Sequence, residues 1–131
     1  MFNVLTFDIE DWFHILDLPN DKNIGRWSEY ESRVEQNTFK ILRILQRYNV
    51  KATFFVLGWI AEHYPNLVKK IQNKGHEIGC HGYGHQLINT LTRKEFSDDL
   101  LKARDIIGNI TGSPAWQIVY QLCNITNCNH G

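Results

Sequence analysis

The stretch Cys80-His81-Gly82-Tyr83-Gly84-His85 sets two imidazoles four positions apart with glycines between them. Glycine disfavours a helix, so the pair is expected in a loop. A second polar group follows an apolar run near the start of the chain, Asp8-Ile9-Glu10-Asp11. One carboxylate oxygen and two neutral imidazoles suit a divalent cation and leave positions open for water and substrate. A cation held in this way lowers the pKa of a coordinated water to about 7. A further carboxylate, not itself a ligand, can then accept the remaining proton as general base. Asp8 and one of Glu10 or Asp11 supply that pair. Each motif alone has a plainer reading: the acids as a solvated turn or helix cap, the histidines as polar loop residues. His14, His63 and His76 are expected to be ordinary, beside an aromatic pair, on a helix and in a turn. Trp12 and Phe13 directly follow the acids and could line a sugar-binding groove or simply pack.

What would bring the two motifs together is the order of elements. Residues 2 to 9, 52 to 57 and 77 to 80 are apolar runs of strand length, each ending in acidic, small or His-bearing text. Continuous apolar strands of this kind are buried on both faces, as in parallel sheets. Between and after them come amphipathic helices. Their apolar stripes are Val34, Thr38, Ile41, Leu45 and Tyr48, then Ile60, Tyr64, Leu67 and Ile71, then Phe96, Leu100, Ala103 and Ile107. Pro65 is expected to begin a fresh helical turn, Thr92 with Glu95 to form a capping box, and Gly75 and Gly112 to mark helix stops. Three βα units in succession imply an α/β fold with parallel strands. In such folds functional groups gather at the carboxyl ends of the strands, which places the acids and the histidines on one rim.

Composition narrows the classes. The 131 residues form at most one domain, 43% hydrophobic and 21% charged, with 14 basic residues balancing 14 acidic ones. That balance argues against a nucleic-acid partner, and no apolar run is long enough to span a bilayer. The N-terminus lacks a basic leader segment, so a cytoplasmic location is expected. Cys80, Cys123 and Cys128 lack zinc-ribbon spacing; a site built on Cys123, Cys128 and His130 would want a fourth ligand. Asn109 and Asn124 match the glycosylation pattern, which without a secretory leader is read as chance. No charged residue follows Asp105. Residues 115–131 are therefore read as a divergent uncharged tail, irregular, with residues 117 to 122 as a poor candidate for a fourth strand.

The segments "LTFDIEDWFH", "ATFFVLGWIAEHYPNLVKKI", "KGHEIGCHGYGH" and "LTRKEFSDDLLKARDIIGNITGSP" resemble the polysaccharide deacetylases with a NodB-homology domain, carbohydrate esterase family four, and in particular the branch linked to bacterial exopolysaccharide clusters. The resemblance implies that residues 1–114 are part of a distorted (β/α) barrel, three βα units of it, and that the substrate is an N-acetylated hexosamine polymer. It implies a divalent cofactor, zinc, and the hydrolysis of acetamide groups. Carried over, Asp8 is the general base and His81 and His85 are ligands. The family commonly sets its two acids side by side, whereas Ile9 intervenes here. Alternation along a strand puts Glu10 on the same side as Asp8, so Glu10 is the expected third ligand and Asp11 the reserve.

The family's third motif, Arg-x-Pro on a fourth strand, and its later catalytic His have no match. No Arg follows Arg104, and the only later His is His130. A (β/α) barrel typically takes about 250 residues. The chain therefore reads as a truncated member with an incomplete catalytic set, and exposed barrel interior is expected to favour self-association. The alternative is a non-catalytic carbohydrate-binding or interaction module that keeps the rim.

Overall fold

The computed structural model describes residues 3–15 and 24–120. Three strands, β1 (Thr6–Ile9), β2 (Thr53–Val56) and β3 (Glu77–Cys80), form a parallel sheet in the order β1-β2-β3. Parallel neighbours need a crossover between them. Helix α1 (Val34–Arg47) links the first pair, and α2 (Gly58–His63) with α3 (Pro65–Asn73) links the second. Helix α4 (Arg93–Thr111) follows β3.

Burial separates the strands. In central β2, Phe54 and Val56 are fully buried, each such side chain contributing roughly 1.5–3 kcal/mol. The expected first strand is shorter than the apolar run that suggested it. Val4 is 82% exposed, and only Ile9 of β1 is buried. The run encodes an edge strand with no partner beyond it among the described residues, so hydrophobicity alone did not mark burial on both faces.

The helices follow local signals closely. Tyr64, ahead of Pro65, has φ −127° and ψ 55°, and the chain breaks there into α2 and α3, since proline disfavours helical geometry in the residue before it. Thr92 and Glu95 form the capping box that opens α4, and Gly112 closes it in the left-handed region at φ 78°; Gly75, after α3, has φ 77°. One stripe needs correction. The buried face of α1 is Val34, Thr38, Leu42 and Leu45. Ile41 is only partly buried, and Tyr48 is the C-cap residue, 68% exposed. A helix ending at Arg47 cannot carry its stripe on to Tyr48.

Part of the uncharged segment after Pro114, within the candidate fourth strand, pairs with β3. Ile118 forms a parallel bridge with Cys80. The Cys80 amide donates to the Gln117 carbonyl (2.8 Å), and the Val119 amide donates to the Cys80 carbonyl (2.9 Å). The contact is a single bridge of backbone bonds beside β3. Cys123, Asn124, Cys128 and His130 lie outside the described residues. Among the described residues, no helix is long and apolar enough to cross a membrane.

Candidate metal centre

Glu10, one residue past the end of β1, meets His81 and His85, which lie just past the end of β3. One donor atom from each lies within 4.8 Å of the others. Both imidazoles are buried, at 3% and 8% exposure. Glu10 Oε2 stands 3.1 Å from His85 Nε2.

Partners of the other ring nitrogens fix the chemistry. His85 Nδ1 lies 2.8 Å from the His14 carbonyl, and His81 Nδ1 lies 3.1 Å from the Val119 carbonyl. A carbonyl can only accept, so both Nδ1 atoms carry the hydrogen, and in the neutral form the rings turn Nε2 lone pairs toward the centre. Glu10 Oε2 is itself buried and has no hydrogen-bond partner. With the rings neutral, two acceptors face each other at 3.1 Å, an arrangement that a cation, or a proton on Nε2, relieves. The donor set, one carboxylate oxygen and two imidazole nitrogens, is one that zinc accepts, and carbonyl-oriented histidines are the usual outer support of such ligands. The residues fit a divalent cation.

The remaining candidates separate cleanly. Asp8 is half-exposed, with Oδ2 3.8 Å from His81 Nε2; it is on the rim but outside the three-residue cluster. The Asp11 carboxylate is occupied elsewhere. It accepts from Ser32 Oγ (2.6 Å) and from the amides of Arg33 (2.8 Å), Val34 (3.1 Å) and Trp12 (3.0 Å). It caps the start of α1 and the 3-10 turn Trp12–His14. Trp12 is 40% exposed, its Nε1 donating to the Glu31 carbonyl at 3.0 Å. It shares with Asp8, Glu10 and Arg33 a groove of about 260 Å³. Phe13 is 1% exposed and packs among Trp27, Tyr30 and Trp59 with ring centroids 5.5–6.4 Å apart.

His14 is more than an ordinary residue beside aromatics. Its Nδ1 accepts from the Asp11 amide at 2.7 Å, and its ring sits 4.3 Å from Trp27 and 4.5 Å from Phe13 by centroid. Burial in this cage lowers its pKa to about 3, against an upward pull from Asp11. No sequence signal marks its carbonyl, or that of Val119, as an anchor for a ligand, because every residue carries one. His63 is exposed and stacks on Trp59 at 3.9 Å, while His76 is buried with Nδ1 accepting from the Ala52 amide at 3.3 Å.

The loop between the two histidines is packed tightly enough to fix them. Gly82 has φ +74° and its carbonyl accepts from the Gly58 amide (2.8 Å), and a Cβ on Gly58 would lie 2.8 Å from the Tyr83 ring. Glycine at both places lets the loop and the start of α2 approach.

A parallel α/β sheet whose strand ends gather a carboxylate and two lone-pair-bearing imidazoles defines a class: a barrel-type α/β protein with a site able to hold a divalent cation. The chain belongs to the polysaccharide deacetylase family, whose model matches residues 4–122, the NodB-homology, carbohydrate esterase family four group. A peptidoglycan deacetylase of Helicobacter pylori is 34% identical over 114 residues, 85% of this chain and 37% of that protein. A peptidoglycan-N-acetylglucosamine deacetylase of Bacillus cereus is 44% identical over 75 residues, 57% of this chain and 27% of that protein. Among solved structures, a peptidoglycan N-acetylglucosamine deacetylase superposes with a TM-score of 0.69 at 34% identity, covering 90% of this chain and 45% of that one. A family pseudoenzyme from Bacillus anthracis gives 0.67 at 25% identity, covering 88% and 33%. The chain thus spans less than half the length of these relatives, and its three βα units correspond to part of the NodB-like (β/α) barrel.

Proposed function

We propose that this chain carries the cation-holding part of a metal-dependent N-deacetylase acting on N-acetylated hexosamine polymers, peptidoglycan being the substrate its relatives' names suggest. Glu10, His81 and His85 hold the cation, zinc by their chemistry, and Asp8 is the general base. The observation that carries this reading is the buried pair of facing acceptors, Glu10 Oε2 and His85 Nε2, 3.1 Å apart. A divalent cation bound there polarises an acetamide carbonyl and acidifies a water. Asp8, half-exposed and 3.8 Å from His81 Nε2, takes the proton released at Oδ2 as the water attacks. The His14 and Val119 carbonyls hold the two rings so that the lone pairs do not turn away. Trp12 offers an exposed indole at the edge of the same groove for a sugar ring.

A second reading is a non-hydrolytic module that keeps the centre. It is favoured by the similarity, at 25% identity, to a family pseudoenzyme of the same fold. Zinc titration by calorimetry, paired with acetate release from N-acetylglucosamine oligomers and peptidoglycan, separates the two. Stoichiometric zinc with acetate release that Asp8→Asn abolishes supports the hydrolase. Zinc without acetate release supports the module. Zinc uptake unchanged in His81→Ala overturns both.

A further inference from the structure

We propose that Asp99, on α4, is a positioning residue that holds the His81–His85 loop in its ligand-presenting shape, with Tyr120 as its partner. The inference rests on the cation-holding role proposed above for that loop. Asp99 Oδ2 accepts from the Tyr83 amide at 2.8 Å, and Oδ1 accepts from the Gly84 amide at 3.0 Å. Those two amides lie midway between the ligands and take part in no strand or helix. The Tyr120 hydroxyl donates to the same Oδ2 at 2.9 Å. One carboxylate therefore serves three donors, drawn from the loop and from the segment after Pro114.

The loop needs such a support. Gly82 at φ +74° and His85 at φ +50° are both in the left-handed region. For the non-glycine His85 this conformation is unfavourable and persists only where surrounding contacts impose it. The missing side chain of Gly82 is also what admits the clamp: a Cβ there would lie 2.8 Å from Asp99 Oδ2 and 2.9 Å from the Tyr120 ring. Asp99 itself sits on a helix anchored by Ala103 and Ile107, both fully buried. On the other side, Val119, the residue before Tyr120, accepts from His81 Nδ1. The residues 117–120 thus act twice, once on the first imidazole and once on the carboxylate that shapes the loop to the second. Asp99 touches no reacting atom in this scheme; it acts through the backbone between the ligands.

The test uses the full chain. Zinc affinity is measured by competition with a chromophoric chelator, and amide hydrogen exchange at Tyr83 and Gly84 is followed in chelator-treated protein. In Asp99→Asn a single amide oxygen cannot serve three donors, and its NH2 group faces one of them. Zinc affinity is expected to fall about 10–100-fold, the usual loss when an outer support of a metal ligand is removed. Exchange at Tyr83 and Gly84 is expected to quicken. Ile107→Val, a core change on the same helix, is expected to lower stability and leave zinc affinity unchanged. If Asp99→Asn does not fold, Tyr120→Phe carries the test, with an expected loss of about fivefold for one hydrogen bond. A wild type that binds zinc and an Asp99→Asn protein that binds it equally well, with unaltered exchange, overturn this inference alone. A wild type that binds no zinc overturns the cation-holding role along with it.

Discussion

Glu10 and Asp11 are adjacent acids at the end of β1, and exchanging their roles would change the whole account of the centre, so paired substitutions test it most sharply. In Asp11→Ala the Val34 amide loses its carboxylate partner in a buried setting, costing about 1–3 kcal/mol. Loss of negative charge at the start of α1 adds about 0.3–1 kcal/mol. The Ser32 hydroxyl and the Arg33 amide are only partly buried and recover much of their loss from water. The total is about 1–4 kcal/mol, less than the 5–15 kcal/mol at which a typical domain is stable. Glu10→Gln behaves in the opposite way. Glu10 Oε2 has no hydrogen bond to lose, and a glutamine NH2 in its place can donate to the His85 Nε2 lone pair. Metal-free stability should hold or rise by up to about 1.5 kcal/mol. Zinc affinity should fall by more than about a hundredfold, beyond the loss expected of an outer-shell change. Urea unfolding in the presence of a chelator reads stability, and competition titration reads zinc. The reasoning is refuted if Asp11→Ala abolishes zinc binding at unchanged stability while Glu10→Gln leaves zinc binding intact.

Two further outcomes follow from the packing. His14 is held neutral by burial, with its pKa lowered from 6.5 to about 3. A depressed folded-state value means that its stabilising contribution is complete above about pH 6.5 and is lost as pH falls through that value toward 3. Metal-free wild type should therefore lose stability between those limits with a steeper slope than His14→Phe, by at most about 1.4 kcal/mol per pH unit; parallel slopes in urea unfolding would refute the assignment. Gly58→Ala would bring a Cβ to 2.9 Å from the Ala103 backbone and 2.8 Å from the Tyr83 ring. It should cost about 1–3 kcal/mol by thermal or urea unfolding, and a neutral result would show that α2 and α4 can part without penalty.

Much of the architecture was legible because its signals are local. Pro65, the Thr92–Glu95 box and Gly112 each act within a turn of the chain, so their meaning does not depend on what surrounds them. The α1 stripe slipped at its end, where Leu42 rather than Ile41 is fully buried and Tyr48 lies past the last turn; helix length and rotation against the sheet decide that, and both are set by neighbours. Burial of β1 on both faces was over-read for a similar reason, since an apolar run does not reveal whether a strand is central or at an edge.

The amino-acid sequence by itself determined the family, the order of βα units and a short set of candidates, the acids Asp8, Glu10 and Asp11 and the histidines His81 and His85, whose types and strand-end positions suit a cation. Tertiary structure alone decided which acid is free to join them, because Asp11 is taken by amides 22 and 23 residues further on. It also decided what aims the imidazoles: carbonyls of His14 and Val119, and the Asp99 carboxylate behind the loop. Backbone oxygens belong to every residue alike, so only the path of the chain through space can single out the ones that orient these rings.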